Sequence, residues 1–269
     1  MKKLLLLGLA ALLTVFCGCG DSEAPKKPAE SDDRQTFTVG FDAEFPPFAY
    51  RENDDFVGFD LDLAREVAKR NNWRLVLKPI NWEAKDEELS SGKLDCIWCG
   101  FTIDGRENDY EWTLSYCAGK QVLMVRQDSK IKNFGDIANK TVATQSGTSI
   151  LQALSPGGKM AIFAQNFREI VKFSDFRTAI RELEAGKVDL VALDLGVAKK
   201  FLSDGKFRLL EPELFAEKYG VGFRKGNTAL RNAVQKTLVE MVDDGTAARI
   251  SAKYFDGEDV LTIGKPPKF

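Results

Sequence analysis

The stretch Glu88-Leu89-Ser90-Ser91-Gly92-Lys93-Leu94-Asp95 returns later in the chain as Glu182-Leu183-Glu184-Ala185-Gly186-Lys187-Val188-Asp189. In each copy a helix-like run ends at Gly-Lys, and an apolar residue and an Asp then lead into an apolar strand. Glycine is the usual stop for a helix, because it takes the left-handed conformation at the C-cap without penalty. The echo therefore marks the helix-to-strand joint of two α/β units. The two strands end on opposite charges. The first, Cys96 to Phe101, leads through Thr102 to a cation at Arg106, whereas the second, Leu190 to Leu193, delivers an anion at Asp194. One cation and one anion, each at the carboxyl end of a strand in its own unit, suit the two poles of a free amino acid. The plainer reading is that any two α/β units share such punctuation and that a strand-terminal Asp caps the next helix.

From Thr36 onward, strands and helices alternate. Phe37–Phe41 reads as a strand, 60–69 as a helix with Leu63, Ala64, Val67 and Ala68 on one face, 74–78 as a strand and 83–90 as a helix. A second βαβ run comes next, with strands at 141–144 and 170–173. Its helix carries Phe176, Ala179, Ile180 and Leu183 on one stripe, with Ser174 or Asp175 as cap and Gly186 as stop. Leu230, Ala233, Val234, Leu238 and Met241 recur at helical spacing until Gly245. The segments 120–125 and Tyr219-Gly220-Val221-Gly222-Phe223 bracket the second unit as strands. That unit is therefore expected to be inserted into the first, with two chain crossings making a hinge. The expected lobes are 36–118 with 219–269, and 119–218.

Composition removes several function classes. The 269 residues, 44% apolar, suffice for two ordinary domains. A net charge of −2, with Lys and Arg spread along the chain, offers no basic face for nucleic acid. Histidine is absent, which excludes Ser-His-Asp and Cys-His hydrolases and removes the usual nitrogen ligand for zinc. No metal or cofactor is expected.

Lys2 and Lys3 precede an apolar stretch, Leu4 to Phe16, that is short for a membrane span and reads as an export signal. Its end, Phe16-Cys17-Gly18-Cys19, resembles the lipobox of bacterial lipoproteins, in which a small residue precedes the lipidated Cys. Cys19 after Gly18 fits better than Cys17 after bulky Phe16, so 1–19 is expected to be a lipoprotein signal peptide whose Cys19 takes palmitate-like acyl chains. Residues 20–35, rich in Pro, Ser and mixed charges, read as a flexible tether spanning roughly 20–25 Å. Cys96, Cys99 and Cys117 remain. Cys96-x-x-Cys99 lies within an apparent strand and lacks a second pair, so buried thiols are expected, with a bridge from Cys117 to one of the others left open.

A site for an amino acid must partner both a carboxylate and an ammonium, since burying either alone costs several kcal/mol. Arg106 offers a planar fork for the carboxylate, with Gly100 and the Thr102 hydroxyl beside it. Asp194 offers the anion. Phe45-Pro46-Pro47-Phe48 and Trp82 offer aromatic faces for a side-chain stem, with core packing as the alternative. Gln145-Ser146-Gly147-Thr148-Ser149 reads as a polar turn opening a helix.

These motifs, together with Val39-Gly40-Phe41-Asp42-Ala43-Glu44 and Val57-Gly58-Phe59-Asp60-Leu61-Asp62-Leu63-Ala64, run in one order over nearly the whole chain. In that order the chain resembles the family 3 extracellular solute-binding proteins of polar amino acid ABC importers. The resemblance implies a two-lobed, periplasmic-binding-protein-like α/β fold (type II) with a double-strand hinge, no catalysis, and a monomer held outside the cell membrane by its lipid. It implies an amino acid ligand and a membrane permease as partners. It also implies that Arg106, Gly100, Thr102 and Ser149 take the carboxylate, Asp194 the ammonium, Phe45 and Trp82 the side chain, and Asp42 its tip. The spacing from Thr102 to Arg106 is one residue shorter than the family's, and Cys99 stands where Ala, Ser or Asn is usual. A competing expectation is a dehydratase of a cyclic acid on the same scaffold, with Asp42 and Glu44 as acid or base. A sensory domain would need a membrane or signalling segment after the fold.

Overall fold

The two Gly-Lys cassettes do the same mechanical work in the computed structural model, which describes residues 32–263. Gly92 and Gly186 both adopt left-handed backbone, φ 77° and 71°. Lys93 N–H returns to the Glu88 carbonyl and Lys187 N–H to that of Glu182, closing each helix in the same way. The Asp at the end of each cassette pins a neighbouring strand: Asp95 accepts from Thr38 N–H at 2.7 Å, and Asp189 accepts from Thr141 N–H at 2.8 Å. The echo is thus one joint used twice, once in each half of the protein.

In chain order the strands are β1 (Thr36–Phe41), β2 (Glu44–Phe45), β3 (Ala49–Glu52), β4 (Asp55–Val57), β5 (Arg74–Pro79), β6 (Cys96–Ile97), β7 (Glu111–Trp112), β8 (Cys117–Arg126), β9 (Thr141–Gln145), β10 (Glu169–Phe173), β11 (Leu190–Asp194), β12 (Phe207–Tyr219) and β13 (Gly222–Phe223). The helices are α1 (Phe59–Arg70), α2 (Lys85–Ser90), α3 (Ser149–Leu154), α4 (Ala161–Ala164), α5 (Phe176–Glu184), α6 (Leu195–Leu202), α7 (Thr228–Asp243) and α8 (Thr246–Ala252). Two five-stranded sheets, β5-β1-β6-β13-β7 and β10-β9-β11-β8-β12, make two α/β lobes, and β2-β3-β4 form a small separate sheet. Within each large sheet, three strands that alternate with helices run parallel: β5, β1 and β6 in one, β10, β9 and β11 in the other.

The helix stripes match the sequence closely. On α5, Phe176, Ala179, Ile180 and Leu183 are buried, and Asp175 caps the helix by accepting from Thr178 N–H at 2.7 Å. On α1, Leu63, Ala64, Val67 and Ala68 are buried as expected. The strand read from Cys96 to Phe101 is shorter than the expectation. It ends at Ile97, with Trp98 N–H still donating to the Gly40 carbonyl, and Gly100, at a φ of 49°, then turns the chain.

The long antiparallel pair β8 and β12 runs from Arg126 opposite Phe207 to Cys117 opposite Tyr219. At that end Thr102 bridges to Tyr219 and Leu261 bridges to Cys117. The strand expected over 219–223 is thus divided: Tyr219 ends β12, whose upstream residues are what pair with 120–125, and Gly222–Phe223 form β13 of the other large sheet. The expected signal peptide, Cys19 and most of the tether lie outside the described residues.

Candidate functional site

The loop after β6 presents Cys99, Gly100, Thr102 and Arg106 to a small cavity, and the turn after β9 presents Thr148 and Ser149 to the same cavity. Phe45, Trp82 and Phe176 add three rings, and Gln121 of β8 and Glu217 of β12 close its floor. Six expected site residues are therefore brought together: Phe45, Trp82, Gly100, Thr102, Arg106 and Ser149. Among the described residues, this lining carries one cation, Arg106, and one anion, Glu217. The cavity measures about 20 Å³, room for roughly one water, so a larger ligand enters only when its walls part.

Each group is held by a specific contact. Gly100 N–H donates to Asp60 Oδ2 at 2.6 Å, and a Cβ at this glycine would stand 2.6 Å from the Phe45 ring. Arg106 is 8% exposed, lies 5.4 Å from the centre of the Phe101 ring and donates to the Gly147 carbonyl across the cleft at 3.2 Å. Burial draws its guanidinium below the usual pKa, opposed by the nearby Tyr110 and Glu217. Glu217 Oε1 accepts from Gln121 Nε2 at 2.6 Å, and Oε2 accepts from Ser149 Oγ at 2.8 Å. Thr148 caps α3.

Asp194 and Asp42 are placed differently from the other six. Asp194 Oδ1 accepts from the Gly196 and Val197 amides at 2.7 and 3.2 Å, the N-cap of α6, and its Oδ2 accepts from the Tyr219 hydroxyl. It does not line the cavity that Arg106 lines. The capping geometry turns one oxygen into its own helix, and Tyr219 stands between the other and Glu217. Burial, then Glu217, raises Asp194 to about 7. Asp42 accepts from Glu44 N–H at 2.8 Å and from Gln145 Nε2 at 2.5 Å, a contact between the lobes. Burial raises its pKa despite Gln145. Glu44, its partner in the dehydratase alternative, is paired with Arg177.

Glu217, Gln121 and Phe176 were passed over in the sequence. Phe176 read as core stripe, and Glu217 and Gln121 sit on strands whose pairing alone aims them inward. A larger cavity of about 510 Å³ lies on the other side of Asp194. Its lysines are largely engaged, Lys120 with Glu213, Lys199 with Glu258 and Lys253 with Asp62, and it has no arginine. The three cysteines Cys96, Cys99 and Cys117 are free and buried, so the bridge left open is not formed. Burial pushes all three thiols well above their ordinary range.

Two α/β lobes joined by paired strands, with a buried arginine between them, define a solute-binding protein of the clamshell type. The chain belongs to the bacterial extracellular solute-binding proteins, family 3, whose model matches residues 37–257. It is 30% identical to the probable amino-acid-binding protein YxeM of Bacillus subtilis (strain 168), over 98% of this chain and 99% of that one. It is 27% identical to the arginine-binding extracellular protein ArtP of the same organism, over 96% and 100%. A crystal structure of an ABC uptake transporter substrate-binding protein from Streptococcus pneumoniae with bound histidine superposes with a TM-score of 0.79 at 29% identity, covering 84% of this chain and 94% of that one. No helix among the described residues is long and apolar enough to cross a membrane.

Proposed function

We propose that this protein captures a free polar amino acid between its two lobes and presents it to the membrane permease of an ABC importer. The observation that carries this reading is that a cation, Arg106, and an anion, Glu217, line one buried, ring-lined cavity. Arg106 takes the ligand carboxylate by two parallel hydrogen bonds, with the Gly100 amide region, Thr102 and Ser149 beside it. Glu217 takes the ammonium directly, and Asp194 supports it from behind Tyr219. Phe45, Trp82 and Phe176 flank the side chain, with Asp42 and Gln145 beyond its tip. The ligands named for relatives, arginine and histidine, share that carboxylate and ammonium and differ in the rest.

Arg106 reaches the ligand from one lobe, and Glu217, Ser149, Gln145 and Gly147 meet it from the other. Residues 36–118 with 219–269 form the first lobe and 119–218 the second. The ligand then stabilises the closed form over the open one, and a shift from mostly open to mostly closed takes about 5.5 kcal/mol of differential affinity. The protein works as a monomer on the outer face of the membrane, held by a lipid on Cys19 through the tether 20–35.

Titration with the twenty amino acids, followed by tryptophan fluorescence through Trp82, tests the reading. A saturable response to one or a few polar amino acids, lost in Arg106→Ala, is expected. Silence toward all twenty, or unchanged affinity in the variant, refutes it.

A further inference from the structure

The Tyr219 hydroxyl stands between two carboxylates, Asp194 Oδ2 and Glu217 Oε1, the latter at 3.0 Å. A phenol carries one hydrogen and donates it to one acceptor at a time. The second oxygen-to-oxygen contact needs a hydrogen from elsewhere. The neighbouring donors are already committed: the Gly196 and Val197 amides to Asp194 Oδ1, Ser149 to Glu217 Oε2, and Gln121 to Glu217 Oε1. All three groups are nearly sealed, with Tyr219 at 0%, Asp194 at 1% and Glu217 at 3% exposure. Nor does the phenol have room to swing away, since a Cβ at Gly119 would stand 2.1 Å from its oxygen.

We infer that Tyr219 is a positioning residue that holds a shared proton between Asp194 and Glu217 in the ligand-free cleft, and that the ammonium of a bound amino acid sends this proton to solvent. The inference rests on the amino-acid reading above. In the resting state the Asp194 carboxyl donates its O–H to the Tyr219 oxygen, and Tyr219 donates to Glu217. When the ammonium docks on Glu217 with its own N–H donors, the O–H bond of Asp194 breaks, its proton passes to buffer, and Tyr219 turns its hydrogen to Asp194. The ammonium's positive charge takes the proton's place beside the two carboxylates, while the ligand carboxylate is met by Arg106.

The surroundings favour a proton at Asp194. Burial first and Glu217 second raise it to about 7, against weaker lowering by Tyr219 and the two amides. It also faces Asp60 of α1 and the buried thiols Cys99 and Cys117. The cations nearby are Arg106, which acts on Glu217, and Lys199 and Lys200 at the border of the larger cavity. Asp60, raised by burial to about 7, is the rival proton carrier, but its hydrogen bond is to the Gly100 amide rather than to Tyr219.

Calorimetric titration of the full chain with L-arginine, L-histidine and L-glutamine, in phosphate and in Tris at about pH 6 and about pH 8, reads the proton. For whichever probe binds, the heats should differ between buffers by an amount approaching one released proton at the lower pH and falling toward none at the higher. Asp194→Asn should abolish the release, while Asp60→Asn keeps it. Tyr219→Phe, which keeps the ring but removes the bridging hydroxyl, should shift the pH of half-release; a role in packing alone would leave it in place. Binding with equal heats in both buffers, or release surviving in Asp194→Asn, overturns the inference while sparing the amino-acid reading. An infrared difference spectrum of ligand-free wild type against Asp194→Asn should show a protonated-carboxyl stretch, and its absence overturns the shared proton even if no probe binds.

Discussion

Replacing Arg106 by Met should separate ligand binding from folding. No carboxylate forms an ion pair with this guanidinium among the described residues; it has the Gly147 carbonyl and the face of Phe101. Losing that charged hydrogen bond costs about 1.5–3 kcal/mol and losing the ring contact about 0.5–2. Against this, Met spares the several kcal/mol spent on desolvating an unpaired charge and keeps the stem's packing. The ligand-free variant should therefore stay within about 2 kcal/mol of wild type. Binding is another matter. Two charge-assisted bonds to a ligand carboxylate are worth about 3–6 kcal/mol, so affinity should fall roughly 10²- to 10⁴-fold. Thermal melts with the best-binding amino acid read both quantities. At a ligand concentration about 1,000 times the wild-type Kd, wild type gains about 4 kcal/mol and a variant weakened 1,000-fold gains about 0.4. A variant that melts with the same ligand-induced shift as wild type would refute the assignment of Arg106, whatever its stability.

Gly100→Ala should cost about 1–3 kcal/mol for a left-handed residue with a Cβ, and it should also weaken binding by pushing Phe45 into the cavity; denaturant unfolding with fluorescence titration checks both. The ligand-free protein should lose stability as pH rises from about 4 through 7, because Asp60 and Asp194 bind protons more tightly folded than unfolded. Asp60→Asn, which still accepts from Gly100 N–H, should flatten that slope, and a slope unchanged in the variant counts against it. Cys96, Cys99 and Cys117 should resist a thiol reagent in the native protein and react in denaturant; prompt reaction of any of the three while folded contradicts their burial. Gly119→Ala should disrupt the Tyr219 seat and destabilise the protein by about 1–3 kcal/mol, read by chemical denaturation.

Much of the architecture can be read locally. The stripes of α1 and α5, the Asp175 cap and the Gly92 and Gly186 stops depend on residues within a turn or two of each other, where period and capping chemistry decide. The small sheet β2-β3-β4 and the full length of β12 were missed. Their strands are short or carry Glu and Lys at intervals that blur a period of two.

The site divides along the same line. Sequence order alone picked out Phe45, Trp82, Gly100, Thr102, Arg106 and Ser149, because each sits at a strand end or turn where a chemically distinctive residue stands out. Only the tertiary structure brings an anion, Glu217, to the cavity that Arg106 lines. Asp194 stands at a strand end as expected, but an Asp there has two competing jobs, and the first turn of α6 claims one of its oxygens. Glu217 reaches the cavity through the register of β12 against β8, a pairing between segments far apart in the chain that no local pattern records.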